Sequence, residues 1–338
     1  MQKKHMQNNH IPPNNMPPNN MPPNNMPPNG WQLPPQPPQR RWQEHKIWRV
    51  IYPLLLYYGL QIVMTIGLMV LYMLPRAEQF LADPMSMYEF QNELLNGPFV
   101  IEVTGLVALF GIPVFMLFLF LDMRAYPEMS EKRGSVRFLK RPHWWVLIIA
   151  TSFLIAGGIE NLIYLTGLPD IFTGYNELAE LIFGKTPIWE QILLVGIAGP
   201  ILEELLMRGL VYKRLRRLTG PGWAALISSA IFGVIHGNVV QGIFAFSFGL
   251  YMAYLYEEQG TLLAPILSHV FNNTLAAFAT QYGWDLNFGI AADNTIGLIV
   301  MTAAKLAVAA VLVIAMDKLV RRTLIAKVKP NNEMKVGE

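Results

Sequence analysis

Glu203 and Glu204 stand side by side inside the mostly apolar run from Ile188 to Tyr212, and Arg208 follows one helical turn later. On a helix Glu204 and Arg208, four residues apart, share a face and can pair, whereas Glu203 points about 100° away and is free to meet something else. Of the six histidines, His5, His10 and His45 precede the first apolar run and His143 opens the third, which leaves His236 and His269 inside apolar runs. His236 follows Phe232 by four residues and His269 precedes Asn273 by four, so each pair again shares a face. A carboxylate, two imidazoles and an amide can move a proton and donate hydrogen bonds, which is the equipment of acid–base chemistry. The competing reading is a structural charge cluster that holds a bundle together.

These residues must be positioned by membrane helices. The sequence is 53% hydrophobic and only 14% charged, with a mean hydropathy of +0.31, and it contains several runs near the roughly 20 residues that span a bilayer. Ionisable groups inside such spans are costly and need a partner or a task. The expected fold is all-α, a polytopic membrane bundle of about eight transmembrane helices. The expected runs are about 50–74, 98–121, 143–165, 188–212, 223–236, 239–256, 262–282 and 295–319. By rise per residue, Glu203 and His269 lie about 12 to 15 Å from the same ends of their helices and His236 somewhat deeper, so all three can meet in one cavity.

The flanks fix an expected topology. Arg40, Arg41, Lys46 and Arg49 precede the first run; Arg124, Lys132, Arg133, Arg137, Lys140 and Arg141 follow the second; Lys213, Arg214, Arg216 and Arg217 end the fourth; Lys318, Arg321, Arg322, Lys327 and Lys329 close the last. With eight spans all four basic clusters fall on one side, which places both termini in the cytoplasm of a plasma membrane. Basic residues beside spans set topology and give no reason to expect a nucleic acid partner. The chain has no cysteine, which excludes disulfides, thiolate metal sites and a cysteine nucleophile. Residues 1–40 are rich in proline and asparagine, with repeated PPNNM units, and read as an extended tail with no core. The segment after Asp170 contains NELAELIF, which predicts a short interfacial helix.

Three motifs in order, EELLMR from Glu203 to Arg208, FGVIH from Phe232 to His236 and HVFNN from His269 to Asn273, resemble the EExxxR, FxxxH and HxxxN motifs of the CAAX-protease and bacteriocin-processing family of intramembrane endopeptidases. The resemblance covers about 187–282 and implies a four-helix catalytic core there. It leaves 1–40 as a tail, 41–186 as the first three spans, and 283–338 as the last span and a basic tail. It implies that Glu203, assisted by His236, takes a proton from water, that His269 and Asn273 stabilise the oxyanion, and that Glu204 and Arg208 orient them. Fixed donors are worth most where water is scarce.

A metal is the open point within this reading. Glu203, His236 and His269 could supply three ligands to a catalytic zinc, but the chain has no HExxH and Asn273 suits an oxyanion donor better than a ligand, so metal-free catalysis is the expectation. The substrate is expected to be a membrane-associated protein or a peptide, prenylated or not, and the short soluble loops lean towards a bacterial membrane. Two other classes compete: a non-catalytic immunity or regulatory partner, and an ion-coupled transporter. For the transporter, Glu160 and Lys305 are further intramembrane charges, although a structural Glu160–Lys305 pair or a snorkelling Lys305 accounts for them more simply. The sequence does not specify an oligomeric state.

Overall fold

The computed structural model describes residues 47–96, 98–127, 130–172, 186–290 and 294–328. The repeated tail and the NELAELIF segment lie outside the described residues. The main elements are α1 (Trp48–Met73), α2 (Ala77–Ala82), α3 (Pro84–Asn96), α4 (Phe99–Ala125), α5 (Lys132–Leu139), α6 (Pro142–Leu165) and α7 (Leu168–Ile171). A continuous helical stretch at 188–219, here α8, is followed by α9 (Pro221–Ile235), α10 (Val239–Gln259), α11 (Leu263–Tyr282) and α12 (Thr295–Val328). There is no strand among the described residues.

Five helical spans, Trp48–Ala82, Phe99–Ala125, Pro142–Leu165, Val239–Gln259 and Thr295–Leu319, are long and apolar enough to cross a membrane by length and composition. The other three expected runs are helical too, and each departs for a physical reason. α8 carries Glu203, Glu204 and Arg208; α11 carries Ser268, His269, Asn272 and Asn273. α9 has 15 residues, about 22 Å of rise, short of a full hydrocarbon core. Outward-facing Ile62, Val63, Leu117, Val146 and Val311 are each more than half exposed, a surface that belongs against lipid rather than water. The chain is a multi-pass helical membrane protein.

Two apolar cores organise the bundle. The first gathers side chains of α1, α4, α8, α9 and α10, among them Phe115, Leu206, Leu210 and Phe232. The second joins α5, α6, α10, α11 and α12 through Ile148, Phe248, Met252 and Met316. The middle of α8 is buried on every side, each residue from Leu205 to Tyr212 being buried, so lipid contacts have little part in setting the rotation of that stretch.

Its basic end is locked by charge. Buried Asp122 of α4 accepts from Arg214 Nε at 2.8 Å and from Arg49 at 3.1 Å, and Arg214 also donates to the Tyr52 hydroxyl at 2.8 Å and to the Arg49 carbonyl. Glu131 pairs with Lys213 and accepts the Leu262 N–H at 2.8 Å. Asn238 starts α10 by accepting the N–H groups of Val240 and Gln241, the cap expected of asparagine. The ionic ties fix α1, α4 and α8 relative to one another and, through Glu131, to the start of α11.

Candidate active site

At the seam between the two cores, Glu204 is the centre. It is fully buried, and its Oε1 accepts from Arg208 Nη1 at 2.9 Å and meets His269 Nδ1 at 2.9 Å. Arg208 in turn donates through Nη2 to the Gly249 carbonyl of α10 at 2.9 Å, and its guanidinium lies 4.8 Å from the centre of the Phe232 ring of α9. Four helices are therefore joined through one ion pair. The expected i,i+4 pairing is present, and it also does something the spacing did not reveal: Glu204 holds His269.

Glu203 is different. Its side chain keeps 24% of its surface exposed, against 0% for Glu204, and its Oε2 stands 3.7 Å from His269 Nε2. That distance is too long for a hydrogen bond and short enough to matter electrostatically. Because Nδ1 is engaged by Glu204, it is Nε2 that His269 turns towards Glu203. Two chemically identical neighbours thus occupy different environments, one sealed and paired, the other accessible.

His236 ends α9. Its Nδ1 lies 2.7 Å from the Phe232 carbonyl, and since a carbonyl only accepts, Nδ1 carries a proton and Nε2 is the nitrogen left for a reacting group. The Phe232 ring meets His236 edge-on at 4.8 Å and His269 at 6.0 Å, while Phe248 meets His269 at 6.1 Å. Phe232 therefore spaces the two imidazoles apart. Glu203 has no direct hydrogen bond to His236 among the described residues; the two share only the neighbourhood that Phe232 organises.

Asn273 lies one turn beyond His269 and donates through Nδ2 to the Val195 carbonyl at 3.1 Å. The backbone explains why that carbonyl is available. Residues Gln191–Ala198 are π-helical and the Gly199 N–H reaches back to the Leu194 carbonyl; the matching partner for Val195 would be the nitrogen of residue 200, a proline that has no N–H. Asn273 fills that gap and keeps a second amide N–H. Pro200 was the sequence signal for this contact. The six residues singled out in the sequence thus lie on α8, α9 and α11 around one seam.

Gly249 is a seventh contributor that composition and spacing did not mark. A Cβ there would lie 3.1 Å from both Arg208 Nη2 and Ser229 Oγ, so glycine lets the guanidinium reach the α10 backbone. Gly249→Ala should lower stability by about 1–3 kcal/mol, the usual scale of overpacking, and should displace Arg208. Thermal unfolding in detergent checks this; an unchanged midpoint would contradict the packing described.

Among the described residues no group of three or more His, Asp or Glu side chains is placed to share a metal ion. His269 Nδ1 is committed to Glu204 and His236 Nδ1 to a carbonyl. Each imidazole thus keeps Nε2 open.

Residues 185–275 match the family model described as Rce1-like, type II CAAX prenyl endopeptidase. The chain is also 26% identical over 179 residues, 52% of its length and 71% of the relative's, to YdiL of Bacillus subtilis (strain 168), a protein named as a candidate membrane peptidase. No solved structure matches the chain. The matched segment includes every residue of the seam, from Glu203 to Asn273. The site therefore lies within the segment that matches the Rce1-like, type II CAAX prenyl endopeptidase model, in a chain similar to a candidate membrane peptidase.

Proposed function

We propose that the chain is an intramembrane endopeptidase in which Glu203 is the general base, with the Nε2 lone pair of His236 assisting at the same water. The observation that carries this reading is the asymmetry of the two glutamates: Glu204 is consumed by Arg208 and His269, while Glu203 is left accessible beside His269 Nε2. Glu203 takes a proton from water, the resulting hydroxide attacks the scissile carbonyl carbon, and the carbonyl π electrons move to oxygen. His269, through Nε2, and the remaining N–H of Asn273 stabilise that oxyanion. Collapse of the intermediate expels the amine, which receives the proton held by Glu203. Glu204 and Arg208 position His269 rather than touch substrate. Donors and acceptors held by buried bonds need little reorganisation, and that is where such a site gains its rate.

The substrate class is a membrane-associated protein or a peptide that reaches the seam from the membrane plane, and both termini of the chain lie on the basic side, the cytoplasmic side of a bacterial plasma membrane. The test is a fluorogenic peptide library, with farnesylated CAAX peptides and apolar leader peptides, incubated with the purified full chain and with products identified by mass. The expected result is cleavage that survives a strong zinc chelator. Loss of activity to chelator with recovery on adding zinc would transfer Glu203, His236 and His269 to a metal, and absence of cleavage in cells as well as in detergent would favour a binding-only protein.

A further inference from the structure

Away from the catalytic seam, α6, the end of α11, the loop after it and α12 line an open cavity of about 570 Å³. Its lining includes Glu160, Asn161 and Tyr164 of α6, Trp284 and Asp285 of the loop, and Lys305 of α12. Asn161 is 4% exposed, and its Nδ2 is buried with no hydrogen-bond partner. A buried amide donor left unsatisfied is costly, so it marks a place where an acceptor belongs. Lys305, 3% exposed, donates to the Leu286 carbonyl at 3.2 Å and to Asn287 Oδ1 at 2.8 Å. It reaches there past Gly157, where a Cβ would come within 3.0 Å of Nζ, and an ammonium has a third N–H to give.

The pairing of Glu160 with Lys305 expected from the sequence is not formed: no ion pair joins them among the described residues, because Lys305 turns to the loop instead. Glu160 is exposed at the cavity. Asp285 accepts the N–H groups of Asn287, at 2.7 Å, and of Gly289, and these bonds hold its carboxyl below the usual carboxylate range, hence ionised. The cavity thus presents donors from Asn161 and Lys305 and carboxylates from Glu160 and Asp285. Exposed Tyr164 and Trp284 line it, and exposed Tyr282 packs against Trp284 with ring centres 6.2 Å apart, residue types that settle at headgroup depth.

We propose that this cavity seats the headgroup of a phospholipid with a primary amine, of the phosphatidylethanolamine type, its phosphodiester on Asn161 and Lys305 and its ammonium on Glu160 and Asp285. Anionic lipids meet the two carboxylates without a counter-charge of their own. A quaternary amine has no N–H to give them. A headgroup in this position ties the loop that ends α11, the helix of His269 and Asn273, to α6 and α12, so it would brace the helix that carries part of the catalytic seam. The proposal stands without the protease reading, since its test measures binding alone.

The experiment is native mass spectrometry of the full chain in detergent with phosphatidylethanolamine, phosphatidylcholine or phosphatidylglycerol of identical acyl chains. Phosphatidylethanolamine should bind about tenfold more tightly than either, the scale of one charge-assisted hydrogen bond. Glu160→Gln, at an exposed position that should not disturb folding, should bring it down to the phosphatidylcholine level with an unchanged unfolding midpoint, and Asn161→Leu should weaken all three lipids. Equal binding of the three lipids by the wild type, no lipid binding at all, or a phosphatidylethanolamine preference retained by Glu160→Gln would overturn the assignment.

Discussion

Glu203→Gln should reduce peptide cleavage by at least about 10²-fold, the lower end of what a positioned general base contributes, while leaving the unfolding midpoint within a degree or two. The amide keeps the volume and one acceptor oxygen but cannot take the proton from water. Glu203 is partly exposed and stands 3.7 Å from His269 Nε2, beyond hydrogen-bond distance, so no buried bond is lost with the charge. KM should change little, because the substitution removes chemistry rather than apolar contact. Initial rates on a cleaved peptide, with thermal unfolding of the same preparation, check both halves. A rate within threefold of wild type would remove Glu203 from the mechanism.

Arg208→Met should be the most damaging substitution in the bundle. It strips the guanidinium from Glu204, which is fully buried, and leaves a carboxylate in low dielectric with only His269 as partner. Removing one member of a buried ion pair costs about 3–5 kcal/mol, and the bond to the Gly249 carbonyl and the contact with Phe232 go with it. The sign can be tested by a second change. Glu204→Gln in the Arg208→Met background removes the stranded charge and keeps an acceptor for His269, so it should recover more than half of the lost stability. Detergent-resistant yield and unfolding midpoint report this; a single variant as stable as wild type would mean that the pair is not sealed as described.

Local spacing made the Glu204–Arg208 pair and the independence of Glu203 readable in the sequence, since both follow from residues one or four apart on a helix. The bond from Glu204 to His269 bridges 65 positions and depends on how α8 and α11 face each other. A helix buried on all sides offers no apolar stripe from which to read that rotation, and the π-helical stretches at Gln191–Ala198 and Leu205–Tyr212 shift its phase further. Gly249 was silent because its contribution is a backbone carbonyl and the absence of a side chain. Lys305 shows the same limit in reverse: opposite charges on neighbouring spans suggested a pair with Glu160, and the loop after α11 supplied better acceptors.

The sealed Glu204 and the accessible Glu203 are the core of the account, and one crossed measurement tests it. Cleavage rate and unfolding midpoint are recorded for wild type, Glu203→Gln and Glu204→Gln in the same detergent. The account predicts that Glu203→Gln loses turnover and keeps its midpoint, whereas Glu204→Gln, which leaves Arg208 buried without its counter-charge, loses its midpoint. Two variants that fall together in both quantities, or a stable and inactive Glu204→Gln beside an active Glu203→Gln, would contradict it.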